Sequence, residues 1–242
     1  MFNKKILFEK TVEKEVGIMA RELDVIKSGI IDYQKAYELQ LELLDKRHKN
    51  EINDTLLLVE HPPVLTIGTS GTRDNIVVNN NFLKDRGIEV FESRRGGDIT
   101  YHGPGQVVGY PILNLKEHKK DLHWLLRSYE EIFIRLLREY KIQADRIKGL
   151  TGVWVENEKI TAIGVGVRHW ITYHGFAFNI DPNLEHFSYI IPCGINDKGV
   201  TSLKKELGSE LKKEEIIEKI IKYFAQVFEM DVVDKKNNFQ LK

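Results

Sequence analysis

The chain predicts an α/β fold of α+β character: a single domain in which helices flank a largely antiparallel mixed sheet. Three observations predict it. Between Thr151 and Ile180, three extended runs (Gly152-Val153-Trp154-Val155, Ile160 to Val167 and Ile171 to Ile180) follow one another across short turns, as in an antiparallel meander. Ahead of them, Leu122, Leu125, Leu126, Tyr129, Ile132, Phe133, Leu136 and Leu137 recur at helical spacing. Arg127, Glu130, Glu131, Arg135 and Glu139 take the opposite face, so the apolar stripe is suited to covering a sheet. Finally, 242 residues with 42% hydrophobic content and no linker-like stretch fit one substantial core.

The first helix is expected after Asp32, a candidate N-cap, with Tyr33, Ala36, Tyr37, Leu41 and Leu44 on one face until the charged DKRHKN run ends it. Leu56 to Val59 reads as a buried strand that delivers Glu60-His61-Pro62-Pro63 at its end. A histidine before two prolines is there read as a hydrogen-bonding corner rather than a substrate contact. Val64 to Ile67 resumes an extended path, and GTSGTRDN is loop. Asp121 caps the long helix. A short helix opened by Thr201 and closed near Gly208 precedes a longer one that carries Ile216, Ile217, Ile220, Ile221, Phe224, Val227 and Phe228.

Lys and Arg total 36, as do Asp and Glu, so no net charge calls for nucleic acid or an acidic membrane. The N-terminal stretch lacks an apolar run long enough for a signal segment or a membrane span, which leaves a cytoplasmic location as the expectation. Cys193 is the only cysteine, which rules out an intramolecular disulfide and fits a reducing compartment.

Between Arg94 and Leu115 the sequence reads RRGGDITYHGPGQVVGYPILNL. Five glycines surround an arginine pair, His102 and Gln106, and the stretch ends in an apolar run that reads as a buried strand. Polar side chains among glycines mark a ligand-facing loop. Four more blocks join it in the same order along the chain: Glu60-His61-Pro62-Pro63 with Thr66 and Gly68, Lys159 to Gly164, His174 to Asn179, and Ile191-Pro192-Cys193-Gly194-Ile195. In order and spacing these blocks resemble the lipoyl(octanoyl) transferases, a family related in fold to the biotin and lipoate protein ligases. The resemblance runs from about residue 24 to residue 231 and implies a catalytic domain over 23–231. An N-terminal extension, 1–22, and a polar tail, 232–242, are left without an assigned role.

The resemblance implies transfer of an octanoyl group from octanoyl-acyl carrier protein to a lysine of lipoyl domains. The expected acceptors are those of 2-oxoacid dehydrogenases and the glycine cleavage H protein, and no cofactor is needed. It further implies Cys193 and Lys159 as the catalytic pair, and substrate contacts from Arg95, Gly96, Gly97, Asp98, Ile99, Thr100, Tyr101 and His102, from Ala162, Ile163 and Gly164, and from Gly175, Phe176 and Ala177. Thr161 stands where many relatives carry alanine, which bears on chain-length preference. Chemically, Cys193 lies between Pro192 and Gly194, where the chain turns. A thiolate exchanges readily with a thioester, but a thiol with a pKa of about 8.5 needs a cation or base beside it. His102 and His174 stay open as alternative partners and are ranked as pocket residues. Gly164, Gly166 and Gly175 are expected to leave room for an acyl tail, and the 96–105 loop to cover it. Two other activities stay open: an ATP-dependent lipoate or biotin-type protein ligase, and a Cys/His thioester hydrolase. No metal site is expected, because His118/His123 and His169/His174 have a spacing unlike that of helical ligand pairs.

Overall fold

The computed structural model describes residues 21–191 and 198–233, so residues 1–20, Cys193 and the polar tail beyond 233 lie outside the described residues. The described chain begins with strand β1 (Arg21–Ile30), helix α1 (Tyr33–His48), strands β2 (Asp54–Glu60) and β3 (Val64–Ile67), and helix α2 (Asn80–Asp85). Strands β4 (Glu89–Glu92), β5 (Ile99–His102) and β6 (Gln106–Ile112) lead to helix α3 (Leu122–Glu139). The meander follows as β7 (Asp145–Ile147), β8 (Leu150–Val155), β9 (Glu158–Arg168) and β10 (Ile171–Asn179). The last described elements are β11 (Gly199–Val200), helices α4 (Leu203–Leu207) and α5 (Lys213–Phe228), and β12 (Met230–Val233).

Among the described residues, nine strands form one sheet in the order β12-β1-β2-β6-β10-β9-β8-β7, with β11 alongside β9. The pairs β1/β12, β1/β2 and β9/β11 are parallel, and the others are antiparallel. The expected mixed, largely antiparallel sheet is therefore present. A smaller sheet, β4-β3-β5, stands beside it.

Strand alternation divides the core. Leu56, Leu58, Val107, Phe176 and Phe178 point toward α3 and α5, whereas Leu57, Val59, Val108, Tyr110 and Ala177 point toward α1. The side chains of Asp32 and Asp121 accept from the backbone N–H of Lys35 and Trp124, as their N-cap positions require.

Four features differ from expectation. Helix α1 runs through Asp45–His48 rather than ending there, because Arg47 turns inward and donates to Asp54 Oδ1 at 2.8 Å. Glu130, assigned to the polar face of α3, is buried. It pairs with Arg127 and Arg146 and accepts from the Gly152 N–H, so a carboxylate anchors the start of β8. Ser202, not Thr201, caps α4. Arg21 and Glu22, grouped with the N-terminal extension by sequence, already pair with Met230 and Asp231. Among the described residues no helix is long and apolar enough to cross a membrane.

Candidate active site

A cavity of about 610 Å³ opens on the α1 side of the main sheet, walled by β5, β6, β9 and β10, by the loop before β5 and by the chain around 184–191. Of the residues expected to contact substrate, all but Tyr101 line it. Tyr101 is turned by strand alternation into the small apolar cluster that includes Leu65 and Tyr189, where its hydroxyl meets His186 Nδ1 at 2.8 Å.

The glycine-rich stretch is built into the wall. Gly96 N–H donates to Val165 O at 2.8 Å on one side, and on the other Gly68, Thr69 and Ser70 donate to Asp98, Arg95 and Gly97 carbonyls. Within the stretch expected as a covering loop, 96–105, residues 99–102 form strand β5. Gly97 has φ of 91°, a conformation that disfavours side chains. Of the glycines expected to leave room for an acyl tail, Gly164 and Gly175 line the cavity and Gly166 does not, but none marks space left by a missing side chain. A Cβ on Gly164 would lie 2.7 Å from Gly96 O, one on Gly166 would strike the Tyr173 ring, and one on Gly175 would lie 2.4 Å from Gly109 O. These positions are empty of side chain because neighbouring chain occupies the space. Thr161, fully buried, does not line the cavity.

Arg95 is buried and donates from Nε and Nη2 to Thr66 Oγ1 at 3.1 and 3.0 Å, and from Nη2 to Thr66 O at 2.5 Å. Two backbone carbonyls then orient a hydrogen-bond chain. Asn179 Nδ2 donates to Thr201 O at 3.0 Å, so Asn179 Oδ1 is the acceptor for Gln106 Nε2 at 2.8 Å. Gln106 Nε2 also donates to Tyr101 O, which fixes Gln106 Oε1 as the acceptor of His102 Nδ1–H at 2.7 Å. His102 Nε2 is thus left to accept from Thr66 Oγ1 at 3.5 Å, and the imidazole is neutral. Burial holds its pKa well below the ordinary histidine value.

Two further imidazoles stand nearby. His61 is the corner expected from sequence: Nδ1 donates to Ile31 O and Nε2 accepts from Tyr110 Oη, both at 2.7 Å, and burial lowers its pKa to about 4. His174 lines the cavity with φ of 54°, unusual for a residue with a side chain, and its ring stacks on Tyr37. Burial, reinforced by the Arg95 charge, pushes its pKa down to about 3. None of the three is a cation at neutral pH.

Lys159 reaches the cavity through an irregularity that sequence does not reveal. In a regular strand, residue 159 and residues 162 and 164 face opposite sides. Between β8 and β9 the register shifts: Val153 opposes Thr161 while Trp154 opposes Lys159, so β9 carries one extra residue. This bulge returns Lys159 to the face of Ala162 and Gly164, and all three line the cavity. Lys159 Nζ stands 4.7 Å from the centre of the Trp154 ring. The backbone of Lys159 is tied to the chain after the cysteine segment, since Thr201 N–H donates to Lys159 O at 3.0 Å. Ile191 and Lys198, which bracket residues 192–197, also line the cavity. Sequence reasoning missed Tyr33, Tyr110, Trp154 and Asn179 as cavity residues, although Asn179 ends a block already singled out.

A partly apolar cavity lined by the buried Arg95, two neutral imidazoles, the Asp98 carboxylate and the Lys159 and Lys198 ammoniums has room for an acyl group. The architecture is shared with the bi-partite lipoate protein ligase of Thermoplasma acidophilum, with a TM-score of 0.67 at 16% identity over 90% of this chain and 87% of that one. Residues 32–225 match the family model described as the lipoyl protein ligase A/B catalytic domain, and the chain belongs to that family. Within it, the octanoyltransferase of Desulforamulus reducens is 50% identical over 220 residues, covering 89% of this chain and 96% of that protein. The octanoyltransferase of Caldicellulosiruptor saccharolyticus is 52% identical over 208 residues, covering 85% and 88%.

Proposed function

We propose that this protein is an acyltransferase that moves an octanoyl group from octanoyl-acyl carrier protein to a lysine of lipoyl domains in lipoate biosynthesis, through a thioester on Cys193. The acceptors are the lipoyl domains of 2-oxoacid dehydrogenases and the glycine cleavage H protein, and the reaction takes place in the cytoplasm without a cofactor. The activity follows the named relatives. The mechanism rests on one observation: Lys159 and the residues on both sides of 192–197 line the same cavity. With the cavity imidazoles held neutral, Lys159 is the better candidate to stabilise a thiolate.

In the first half-reaction the Cys193 sulfur bonds to the thioester carbon, and the carrier's sulfur leaves and takes a proton from Lys159. In the second, the acceptor lysine amine bonds to that carbon, the C–S bond to Cys193 breaks, and the amine's proton returns to Lys159. Sulfur-to-sulfur exchange followed by amide formation needs no nucleotide. Arg95, Gly96 and Gly97 form the wall beside the acyl group, with Asp98, Ile99, Thr100 and His102 continuing it, and Ala162, Ile163, Gly164, Gly175, Phe176 and Ala177 on the sheet side.

The test is intact-mass measurement after mixing with octanoyl carrier protein and no ATP, followed by addition of a lipoyl domain. One octanoyl adduct that disappears as the domain is modified is expected, and Cys193→Ser gives neither. A requirement for ATP and free octanoate, or steady release of octanoate without modification of the domain, overturns the proposal.

A further inference from the structure

Among the described residues lining the cavity, Lys159 has its ammonium over an aromatic ring, and the ring belongs to its direct cross-strand partner. Trp154 opposes Lys159 at the step where β9 bulges, and it is 3% exposed while lining the cavity. The lysine stem runs past Gly152, whose missing side chain would have stood 3.5 Å from Cδ and Cε. Its Nζ then lies 4.7 Å from the indole centre. A cation over the negative face of an indole is attracted to it, and more strongly where water is kept away.

We propose that Trp154 is a positioning residue for the reaction: its indole face holds the Lys159 ammonium on the cavity wall and favours its protonated form. The proposal rests on the acyltransferase reading of Lys159 given above and deepens it. The bulge and the ring act together. The bulge turns the side chain toward the cavity, and the indole fixes where along the wall the ammonium rests. A freely rotating lysine has three outer torsions to order, and a ring contact removes part of that cost before substrate arrives.

Three measurements test this. In a Trp124→Phe/Trp170→Phe background, Trp154 is the remaining tryptophan. Its fluorescence should show a step with rising pH that Lys159→Met abolishes, because loss of the proton removes the charge from the ring. In the otherwise unaltered protein, Trp154→Leu should shift the alkaline limb of the pH–rate profile for octanoyl transfer down by roughly half to one pH unit and slow transfer about tenfold. Trp154→Phe, which keeps an aromatic face, should recover most of both. A Trp154→Leu enzyme that is slower with an unshifted limb, or a fluorescence step unchanged by Lys159→Met, overturns the proposal and leaves Trp154 as packing alone. Lys159→Ala separates the two ideas: full transfer by that variant removes the role of Lys159 itself, whereas its failure beside an unshifted Trp154→Leu profile removes only the role of the ring.

Discussion

Strand β2 carries a buried polar cluster at each end, and the two are built on opposite principles. At its start, Asp54 accepts from Arg47 Nε at 2.8 Å and from the Asn114 N–H, and pairs with His118 Nε2 at 2.6 Å; Arg47 also reaches Glu117 at 2.6 Å. Formal charges of opposite sign meet directly, and both Arg47 and His118 stabilise the Asp54 carboxylate, whose pKa stays low despite burial. Just past its end, His61 joins Tyr110 and the Ile31 carbonyl, and the neighbouring chain through His102, Gln106 and Asn179 ends on Thr201 O. There the links through the imidazoles are neutral donors and acceptors and the rings are held uncharged, although Glu60, the last residue of β2, also pairs with Lys213 and accepts from the Gly105 N–H. The charged cluster ties α1, β2 and the 114–118 turn together. The neutral one borders the cavity, where a second fixed charge pair would compete with a reacting thioester.

Breaking the charged end should give the largest effect. Asp54→Asn keeps the shape but leaves the buried Arg47 with only Glu117, itself about half exposed, as its acidic partner. Removing one partner of a buried ion pair costs about 3 kcal/mol or more, so the denaturant midpoint should fall sharply. Octanoyl transfer per folded molecule should stay within about twofold, since no member of that cluster lines the cavity. A transfer rate that falls with the stability would show that the two ends are coupled.

Breaking the neutral end should cost less stability and more activity. Asn179→Leu leaves Thr201 O without its side-chain donor and Gln106 Nε2 with Tyr101 O alone, a loss of roughly 2 kcal/mol. The orientation passed from Gln106 through His102 to Thr66 and Arg95 loosens, and transfer should slow about tenfold, mainly in the acylation step. The quantity to compare is the rate of adduct formation against the rate of its discharge onto a lipoyl domain. Equal slowing of both, in step with the unfolded fraction, would reduce Asn179 to a structural role.

What sequence could foresee divides along a similar line. The meander, the caps at Asp32 and Asp121, the buried run of β2 and the His61 corner follow from local pattern, although the corner's partners, Ile31 O and Tyr110 Oη, come from distant chain. Strands β1, β4 and β12, by contrast, draw their pairing from distant chain, whereas β7 pairs with β8 directly after it. The site was legible as a set of blocks but not as a geometry. The bulge that brings Lys159 to the cavity depends on which residue of β8 it opposes, and the glycines expected to make room are filled by carbonyls and rings from other strands. Glu130 looks like any helix-surface carboxylate until Arg146 and Gly152, far along the chain, are folded against it.

The smallest effect, and the finest test of the comparison, is the dependence of stability on pH between 7.5 and 6. His61 and His174 have native pKa values of about 4 and about 3, below the unfolded value near about 6.5, and His102 is lowered as well. As pH falls through about 6.5 the unfolded chain takes up protons that the native imidazoles refuse. The unfolded state then binds more protons, and stability must fall with pH. Each such histidine contributes about 0.8 kcal/mol of loss between pH 7.5 and 6, so the three give roughly 2 kcal/mol. The Asp54 end works the other way: its depressed carboxylate adds stability that is present above about pH 4 and is lost only below that. His61→Gln, which can still donate and accept at the corner, should remove about a third of the loss measured by urea unfolding at pH 7.5, 6.75 and 6. An unchanged slope would mean that His61 takes up its proton in the folded protein, and the neutral character assigned to that end of β2 would fail with it.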